Sequence, residues 1–479
     1  MESRTLYAAI LSSPGIGHLV PVLELGKHLA TNHGLEVTIL VVATHSSPAE
    51  SQLLDPSAAP KHLHILRLPP VDISTVVNPD IKVVSQLAII MREARPAIRS
   101  VLSSMKQRPA MFIVDLFGNE AFGIADEFHM SKYLFVTSTA WFTALTLYCH
   151  VLDKEVEGQY VDHKEPLRLP GCKPVRPEDV VDPMLDRNCQ QYYEYLRVGV
   201  EYSMCDGILI NTWEDLERTS IKALQADETL RSVVKVPVYP VGPLTKPLEP
   251  AGSKSELLEW LDKQPSESVI YVSFGSGGTL SAEQTTELAW GLELSRQRFV
   301  WVLRPPKEDH ADASFFTSGS GPDGTPEFLP DGFLTRTHKA GVVVPLWGPQ
   351  LEILSHPSVG GFLSHCGWNS TLESLSNGVP MIAWPLYAEQ RLNATMLAEE
   401  LVVAVKSKVL PTKNVVRREE IEEMVRTVME SKHGRKEMRE RAKELQKSGK
   451  NALSKGGSSY KSICDVIKEC ELRRQSHKI

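Results

Sequence analysis

A histidine and an aspartate stand where two strands of a parallel sheet would end. His18 follows the apolar run Leu6–Leu11 and a short turn, and Asp115 closes the apolar run Met111–Asp115. Carboxyl ends of parallel strands meet at one edge of a sheet, so the carboxylate can reach the imidazole and stabilise its protonated form. A lone histidine is more often structural. The pair predicts a general base for a hydroxyl, a role typically worth ~10²–10⁴-fold in rate.

Ligand-binding residue types are concentrated in one stretch near the carboxyl end. Trp347 offers a flat apolar face to a base, and His365 lies in a turn before a helix. We expect Asn369 and Ser370 to cap that helix, whose amino terminus would attract an anion. Glu373, one turn further on, could accept hydrogen bonds from ribose hydroxyls. Each feature alone has an ordinary structural explanation; together they predict a nucleotide site.

A second glycine-rich turn reads FGSGGT and precedes a helix that begins near Ala282. Tight strand-to-helix turns need small residues for steric reasons alone. Beside the stretch just described, we expect Ser276 and the neighbouring amides to complete a diphosphate site.

The 44 residues from Trp347 to Gln390 read WGPQLEILSHPSVGGFLSHCGWNSTLESLSNGVPMIAWPLYAEQ. They resemble the signature box of plant secondary-product UDP-glycosyltransferases at almost every fixed position, and the similarity extends over essentially the whole chain. The segments Leu68–Asp72 and Leu169–Cys172 resemble the subgroup that glucosylates hydroquinone, other phenols, monolignols and indoxyl. The resemblance implies a GT-B fold and UDP-glucose as co-substrate. Near these elements the sequence has no acidic cluster with metal-ligand spacing, so we expect no divalent ion.

The resemblance also assigns roles within the box. Trp347 would stack on uracil, Gln350 and Glu373 would hold the nucleoside, and the other assigned residues would hold the diphosphate (His365, Asn369, Ser370) and the sugar hydroxyls (Trp368, Glu389, Gln390). Gln390 resembles glucose-using members, whereas galactose users tend to carry histidine. Two departures are Gly348, where alanine is commoner, and Glu389, where most members have aspartate.

On the acceptor side the resemblance makes His18 the general base and Asp115 its partner. The acceptor oxygen would attack the anomeric carbon from the face opposite UDP, so that an α-linked donor gives a β-glucoside with inversion. Fixed hydrogen-bond donors would stabilise the departing UDP. We expect Phe117, Trp141 and Phe142 to line the acceptor pocket, although aromatic residues at such spacings are more often core.

Short β-branched runs alternate with amphipathic stretches, which indicates an α/β protein with parallel sheets. We expect two facing Rossmann-like domains with a cleft between them. Their predicted bounds are 1–244 for acceptor binding, 245–255 for a linker, 256–455 for UDP-sugar binding, and 456–479 for a helix that packs back on the first domain. Predicted strands are Leu6–Leu11, Glu36–Val42, His64–Leu68, Met111–Asp115, Tyr133–Val136, Gly207–Ile210, Val238–Val241, Ser268–Phe274, Phe299–Leu303, Gly341–Val344 and Val359–Leu363. Predicted helices include Leu19–Ala30, Val83–Met105, Gln190–Ser203 and Ser459–Leu472.

Length, charge and cysteine content favour a two-domain protein and argue against nucleic-acid binding and a membrane span. With 479 residues the chain is long enough for two domains, and its net charge of -7 argues against nucleic-acid binding. Seven scattered cysteines, an odd number, favour a reducing compartment, and no run approaches the ~20 apolar residues of a membrane span. We therefore expect a cytoplasmic monomer whose partners are a small-molecule acceptor and UDP-glucose.

Two other functions are compatible with some of these residues. A Ser-His-Asp hydrolase could use His18 and Asp115, but the chain has no G-x-S-x-G nucleophile motif. A non-catalytic nucleotide-sugar binding protein would need neither residue.

Overall fold

The chain divides into two units, each built around its own parallel sheet. A computed structural model describes residues 6–43, 48–55, 59–74, 81–248, 255–306, 329–430 and 434–476. The first unit comprises Met1–Thr245 together with Gly449–Ile479, and the second comprises Lys246–Ser448. Residues 249–254 of the predicted linker lie outside the described residues.

The first unit contains a seven-stranded parallel sheet in the order β3-β2-β1-β4-β5-β6-β7. Its strands are β1 Tyr7–Ser12, β2 Glu36–Val41, β3 Leu63–Arg67, β4 Met111–Val114, β5 Ser131–Val136, β6 Gly207–Ile210 and β7 Val238–Pro240. The order reverses between β1 and β4, where Leu11 pairs with Val114. Ligands of doubly wound sheets bind beyond the carboxyl ends of the strands at such a reversal.

Helices cover the sheet of the first unit. They are α1 Ile16–Asn32, α2 Pro48–Leu53, α3 Val83–Glu93, α4 Arg95–Ser104, α5 Phe122–Glu127, α6 Ala140–Glu155, α7 Gln190–Glu201, α8 Arg218–Ala226 and α9 Glu228–Val233. The prediction of one helix over Val83–Met105 is wrong, because the structure has two helices that meet at Ala94. Pro96 explains the break: it has no N–H to bond to the preceding turn and is tolerated only in the first turn of a helix.

The second unit repeats this plan with six parallel strands in the order β10-β9-β8-β11-β12-β13. Its strands are β8 Val269–Ser273, β9 Arg298–Leu303, β10 Gly341–Pro345, β11 Val359–Ser364, β12 Met381–Ala383 and β13 Ala404–Lys406. Its helices are α10 Glu256–Asp262, α11 Ala282–Ser295, α12 Phe333–Thr337, α13 Gln350–Ser355, α14 Trp368–Ser376, α15 Gln390–Thr395, α16 Arg418–Met429 and α17 Gly434–Leu453. The strand order reverses between β8 and β11, and β12 and β13 were not predicted from the sequence.

The last helix, α18 at Ser458–Ser476, packs within the first unit. Ile463, Val466 and Cys470 join the hydrophobic core of that unit. At its start, Ser459 Oγ donates a 2.6 Å hydrogen bond to the carbonyl of Gly242, which fixes the helix to the segment after β7.

No helix within the described ranges combines the length and the apolar character that a bilayer crossing requires. None of the seven cysteines, all of which lie in the described ranges, forms a disulfide bond.

Candidate active site

The ends of β1 and β4 bring His18 and Asp115 together. Beyond the paired Leu11 and Val114, the N–H of Asp115 donates to the carbonyl of Leu11 at 3.2 Å. His18 lies in the first turn of α1, with its Nδ1 3.4 Å from Asp115 Oδ2. The two atoms form an ion pair when the imidazole is protonated, although they are not hydrogen-bonded in this conformation. Catalytic hydrogen bonds are often long in unliganded enzymes and shorten in the reacting complex.

Ser13 holds the aspartate in place. Its backbone N–H donates to Asp115 Oδ2 at 2.8 Å, and its hydroxyl donates to Oδ1 at 2.5 Å. Asp115 is fully buried, and a buried carboxylate needs such donors to offset its lost hydration. The sequence analysis did not identify Ser13, although its place directly after β1 was a usable signal.

Phe117 is the predicted acceptor residue that contacts the histidine. Its ring meets the His18 imidazole edge-on, with centroids 5.5 Å apart. The loop that carries it is anchored because Tyr202 donates a 3.0 Å hydrogen bond from its hydroxyl to the carbonyl of Leu116.

The other two predicted acceptor residues lie in the first turn of α6. Trp141 is fully buried and Phe142 is partly buried. The buried Glu217 carboxylate accepts hydrogen bonds from the N–H groups of Ala140 and Trp141, at 3.0 and 3.2 Å. Their contact with an acceptor stays a prediction.

In the second unit, β8 and β11 end side by side, with Ser273 paired to Ser364. The glycine-rich turn after β8 and the imidazole of His365 after β11 pack directly together. A Cβ at Gly275 would lie 2.5 Å from the His365 ring, and one at Gly367 would lie 2.4 Å from it. Gly275 also has a φ of 73°, so both space and backbone conformation favour glycine there.

His365 is a neutral imidazole in this environment. Burial, together with the positive charge of Arg304, lowers its pKa to about 4. At neutral pH it can therefore offer one N–H to an anion but no positive charge.

The start of α14 differs from the expectation. Gly367 occupies the capping position and no side chain caps the helix, so the prediction that Asn369 and Ser370 cap it is wrong. Both residues lie inside the first turn, where their backbone is already helical. The hydroxyl of Ser370 instead accepts a 2.9 Å hydrogen bond from Gln350 Nε2.

Gln350 and Glu373, the two residues predicted to bind the nucleoside, are hydrogen-bonded to each other. Gln350 Nε2 donates to Glu373 Oε2 at 2.7 Å, and Gln350 Oε1 accepts a 3.5 Å contact from the Tyr271 hydroxyl. Burial raises the pKa of Glu373. Trp347 is 53% exposed and follows Leu346, whose φ is 61°, so its indole face is accessible to a planar ligand.

The residues predicted to hold the sugar come from two turns. Trp368 begins α14 and is buried, Glu389 precedes α15, and Gln390 begins α15. The Oε1 of Gln390 accepts hydrogen bonds from the N–H groups of Leu386 and Tyr387, at 2.9 and 3.0 Å. Because that oxygen is engaged, Gln390 can offer a sugar only its Nε2 donor.

Asn393 is a further positioning residue that the sequence analysis did not identify. It is fully buried, and its Nδ2 donates a 3.0 Å hydrogen bond to the carbonyl of Cys366. Cys366 has a φ of 64° and lies between His365 and Gly367. Asn393 thus holds the turn that presents His365.

Within each unit the structure brings predicted residues together: His18, Asp115 and Phe117 in the first, and Gln350, Ser370 and Glu373 in the second. Nowhere in the described parts of the chain do three or more His, Cys, Asp or Glu side chains gather as metal ligands would.

Known proteins are similar to this chain in sequence and in architecture. The family model described as UDP-glucoronosyl and UDP-glucosyl transferase matches residues 207–443. Anthocyanidin 3-O-glucosyltransferase 5 from Manihot esculenta is 56% identical over 465 residues, which are 97% of this chain and 95% of that protein.

Solved structures agree with these matches. The crystal structure of TcCGT1 in complex with UDP has a TM-score of 0.92 and 50% identity, over 98% of this chain and 100% of that one. The structure of Phytolacca americana UGT2 complexed with UDP-2fluoro-glucose and pterostilbene has a TM-score of 0.86 and 38% identity, over 98% and 100% of the two chains. These similarities confirm the predicted GT-B class with two parallel-sheet α/β domains.

Proposed function

Because the chain belongs to the plant family 1 UDP-glycosyltransferases, enzymes that use a UDP-sugar as co-substrate, we propose that it is an inverting O-glucosyltransferase. It transfers glucose from UDP-glucose to a hydroxyl of a small phenolic or indolic acceptor, of the hydroquinone, monolignol or indoxyl type, and forms a β-glucoside. The observation that carries this proposal is the pair formed by His18 and the buried Asp115, with Nδ1 and Oδ2 3.4 Å apart.

The position of the imidazole supports different proposed tasks for its two nitrogens. Nδ1 of His18 faces Asp115, so Nε2, on the opposite side of the ring, is the atom that takes the acceptor proton. The acceptor oxygen then forms its bond to the anomeric carbon while the bond from that carbon to the UDP oxygen breaks. The proton stays on His18 and the electron pair leaves with UDP. Asp115 stabilises the imidazolium electrostatically.

The second unit supplies the groups that hold the donor in this proposal. Uracil stacks on the exposed face of Trp347, and Glu373 and Gln350 hold the ribose. The N–H of His365 and the amides around Ser276 stabilise the charge that gathers on the departing UDP. Glucose is proposed as the sugar because Gln390 resembles the residue of glucose-using members, and its Nε2 remains as a donor for sugar hydroxyls.

Relatives support an oxygen acceptor on an aromatic ring. The Manihot esculenta relative is named for 3-O-glucosylation of anthocyanidins, and the Phytolacca americana structure contains pterostilbene, a stilbene phenol. Phe117, edge-on to His18, offers an apolar contact next to the base for such a ring.

The decisive experiment is His18→Ala assayed with UDP-glucose and two phenols, one neutral and one already ionised at the assay pH. Removal of the base should lower turnover of the neutral phenol by roughly 10²–10⁴-fold. The ionised phenol should be largely spared, because it has no proton to lose. UDP-glucose affinity, measured by calorimetry, should change by less than about threefold, since the histidine acts on the acceptor.

His64→Ala is the matched control, because that histidine is exposed on β3 and pairs with Glu36 at the surface. It should behave as wild type. Near-normal turnover of the neutral phenol by the His18 variant would disprove the base role, as would equal loss for both phenols. The anomeric configuration of the product, read from its NMR coupling constants, tests inversion separately.

A further inference from the structure

Arg304 occupies a central place at the ligand-binding edge of the second sheet. It follows Leu303, the last residue of β9, and β9 lies between β10 and β8 in the sheet. The turns after those two neighbouring strands carry Leu346 and Ser276. An arginine at this position can therefore reach the turns on both sides.

Its guanidinium bonds to both turns. Nε donates to the carbonyl of Leu346 at 3.3 Å, and Nη1 donates to the carbonyl of Ser276. Leu346 has a φ of 61° and directly precedes the exposed Trp347. Ser276 follows Gly275, whose backbone packs against the His365 ring. One side chain thus fixes the turn that presents the indole and the turn that packs on the imidazole.

The charge of Arg304 is unusual in its surroundings. Burial lowers its pKa, and no carboxylate of the described residues forms an ion pair with it. Its positive charge is nevertheless felt at His365, whose pKa it helps to lower. Because His365 is neutral at neutral pH, the formal positive charge beside that imidazole comes from the arginine.

The hydrogen-bonding capacity of the guanidinium is only partly used. It has five N–H groups. The two bonds to Leu346 and Ser276 use two of them, and Nη2 donates to no described residue. Arg304 is only partly exposed, and a side chain that served only to join two turns would not need to keep a charge there, since desolvating a cation is costly without an anion.

We propose that Arg304 is the positioning residue of the donor site, which joins the uracil-binding and diphosphate-binding turns and directs its positive charge toward the donor diphosphate. This inference rests on the proposed donor site of the second unit. The diphosphate is the anion that compensates this partly desolvated charge, and the gain in negative charge on UDP as the sugar leaves makes the same interaction stronger in the transition state.

The test measures affinities of uridine and UDP by calorimetry for wild type, Arg304→Gln and Arg304→Lys. Glutamine removes the charge and at least one bond to a turn; lysine keeps the charge but cannot hold both carbonyls. We expect uridine to bind about fivefold more weakly in both variants, because the Trp347 turn loosens. UDP should bind roughly 100-fold more weakly to the glutamine variant and about tenfold more weakly to the lysine variant.

A structural role without electrostatics would give a different result. It predicts the same loss for uridine and UDP in each variant, and that result would overturn the proposal, as would wild-type affinity for UDP in Arg304→Gln. The salt dependence of UDP binding should also be smaller in the glutamine variant than in wild type. The same salt dependence in Arg304→Gln and wild type would count against a role for the Arg304 charge in UDP binding.

Controls separate this inference from the function on which it rests. Arg417→Gln removes an exposed arginine that pairs with Glu283 at 3.2 Å, and it should bind both ligands as wild type does. Circular dichroism and thermal unfolding establish that each variant is folded. If wild type itself bound no UDP and transferred no glucose, the proposed function would fail; if wild type did both and the glutamine variant matched it, only the role of Arg304 would fail.

Discussion

Replacement of Asp115 by asparagine tests whether the negative charge of Asp115 assists the proposed base, His18. The substitution keeps the volume of the fully buried side chain and removes only its charge. An amide oxygen can still accept one of the two hydrogen bonds from Ser13, which now run at 2.8 and 2.5 Å. The fold should therefore survive, with a loss of stability of about 1–2 kcal/mol from the remaining donor.

The expected loss of rate follows from the distance in the structure. With Nδ1 and Oδ2 3.4 Å apart, two unit charges attract each other by about 5 kcal/mol at an effective dielectric constant of about 20. If the proton is about half transferred in the transition state, about 2.5 kcal/mol of that attraction lowers the barrier. At ~1.4 kcal/mol per factor of ten, kcat should fall by roughly two orders of magnitude.

The assay is UDP release from UDP-glucose with a neutral phenol, together with the KM for each substrate. The KM for UDP-glucose should stay within about threefold of wild type, because the interaction is made in the transition state and on the acceptor. Ser13→Ala is a milder variant for comparison. It keeps the charge of Asp115 and the hydrogen bond from the backbone N–H of residue 13, but loses the hydroxyl hydrogen bond at 2.5 Å. It should lose about tenfold in kcat.

Two outcomes would refute this reasoning. Equal kcat values for Asp115→Asn and wild type would show that the carboxylate does not stabilise the imidazolium. A loss confined to the KM for UDP-glucose would show that Asp115 acts on the donor instead. The ionised phenol provides the internal check, since its transfer should fall far less in the asparagine variant.

Three further predictions concern the second unit. Trp347→Ala should weaken the binding of uridine and of UDP alike by roughly 5–150-fold, which is the contribution of one stacked base. Thermal stability should change little because the indole is 53% exposed. Affinities equal to those of wild type would exclude stacking. Gln390→Glu should lower kcat/KM for UDP-glucose at least about tenfold, because its donor is lost, while calorimetry should show unchanged UDP affinity. The pKa of His365 is about 4 in the folded protein, below its value in the unfolded chain. The contribution of the neutral imidazole to the free energy of unfolding is therefore complete above about pH 6.5 and is lost as the pH falls toward 4. Denaturant unfolding between pH 7 and 4.5 should therefore show an acid-induced loss about 2–3 kcal/mol smaller in His365→Gln, and an identical pH dependence would contradict the burial of a neutral imidazole.

Much of the fold could be predicted because each long strand leaves its own pattern. The run Met111–Val114 and the run Val359–Ser364 are buried throughout, so their apolar residues reveal them directly. Met381–Ala383 and Ala404–Lys406 have three residues each, which leaves little periodicity to detect, although the equally short β7 was predicted from the run Val238–Val241. Their place in the sheet follows from pairing with neighbours, which is a tertiary property. The break at Ala94 was different: Pro96 was a visible signal that the apolar periodicity of the segment obscured.

The candidate site divides in the same way. His18 and Asp115 could be found because the chemistry of the residue type and its position at a strand end both point to function. Arg304 also directly follows a strand, yet its hydrogen bonds go to main-chain carbonyls, and every residue has a carbonyl. Asn393 bonds to a carbonyl as well. Side-chain patterns cannot identify such partners, because the partner contributes no distinctive residue type.

This difference has a mechanistic consequence for how donor binding can be altered. Residues proposed to touch the donor through a side chain, such as Trp347, can be exchanged one at a time, and each exchange should remove one contact. Arg304 and Asn393 bond to the backbone of turns that carry several of the proposed donor contacts. Gly275 and Gly367, whose missing side chains leave room for the His365 ring, impose the same kind of constraint. A substitution at these backbone-holding positions should therefore change affinity for several parts of the donor together, and double-mutant cycles between Arg304 and Trp347 should show coupling beyond additivity, within the ~0.5–3 kcal/mol found for residues that share a structural unit.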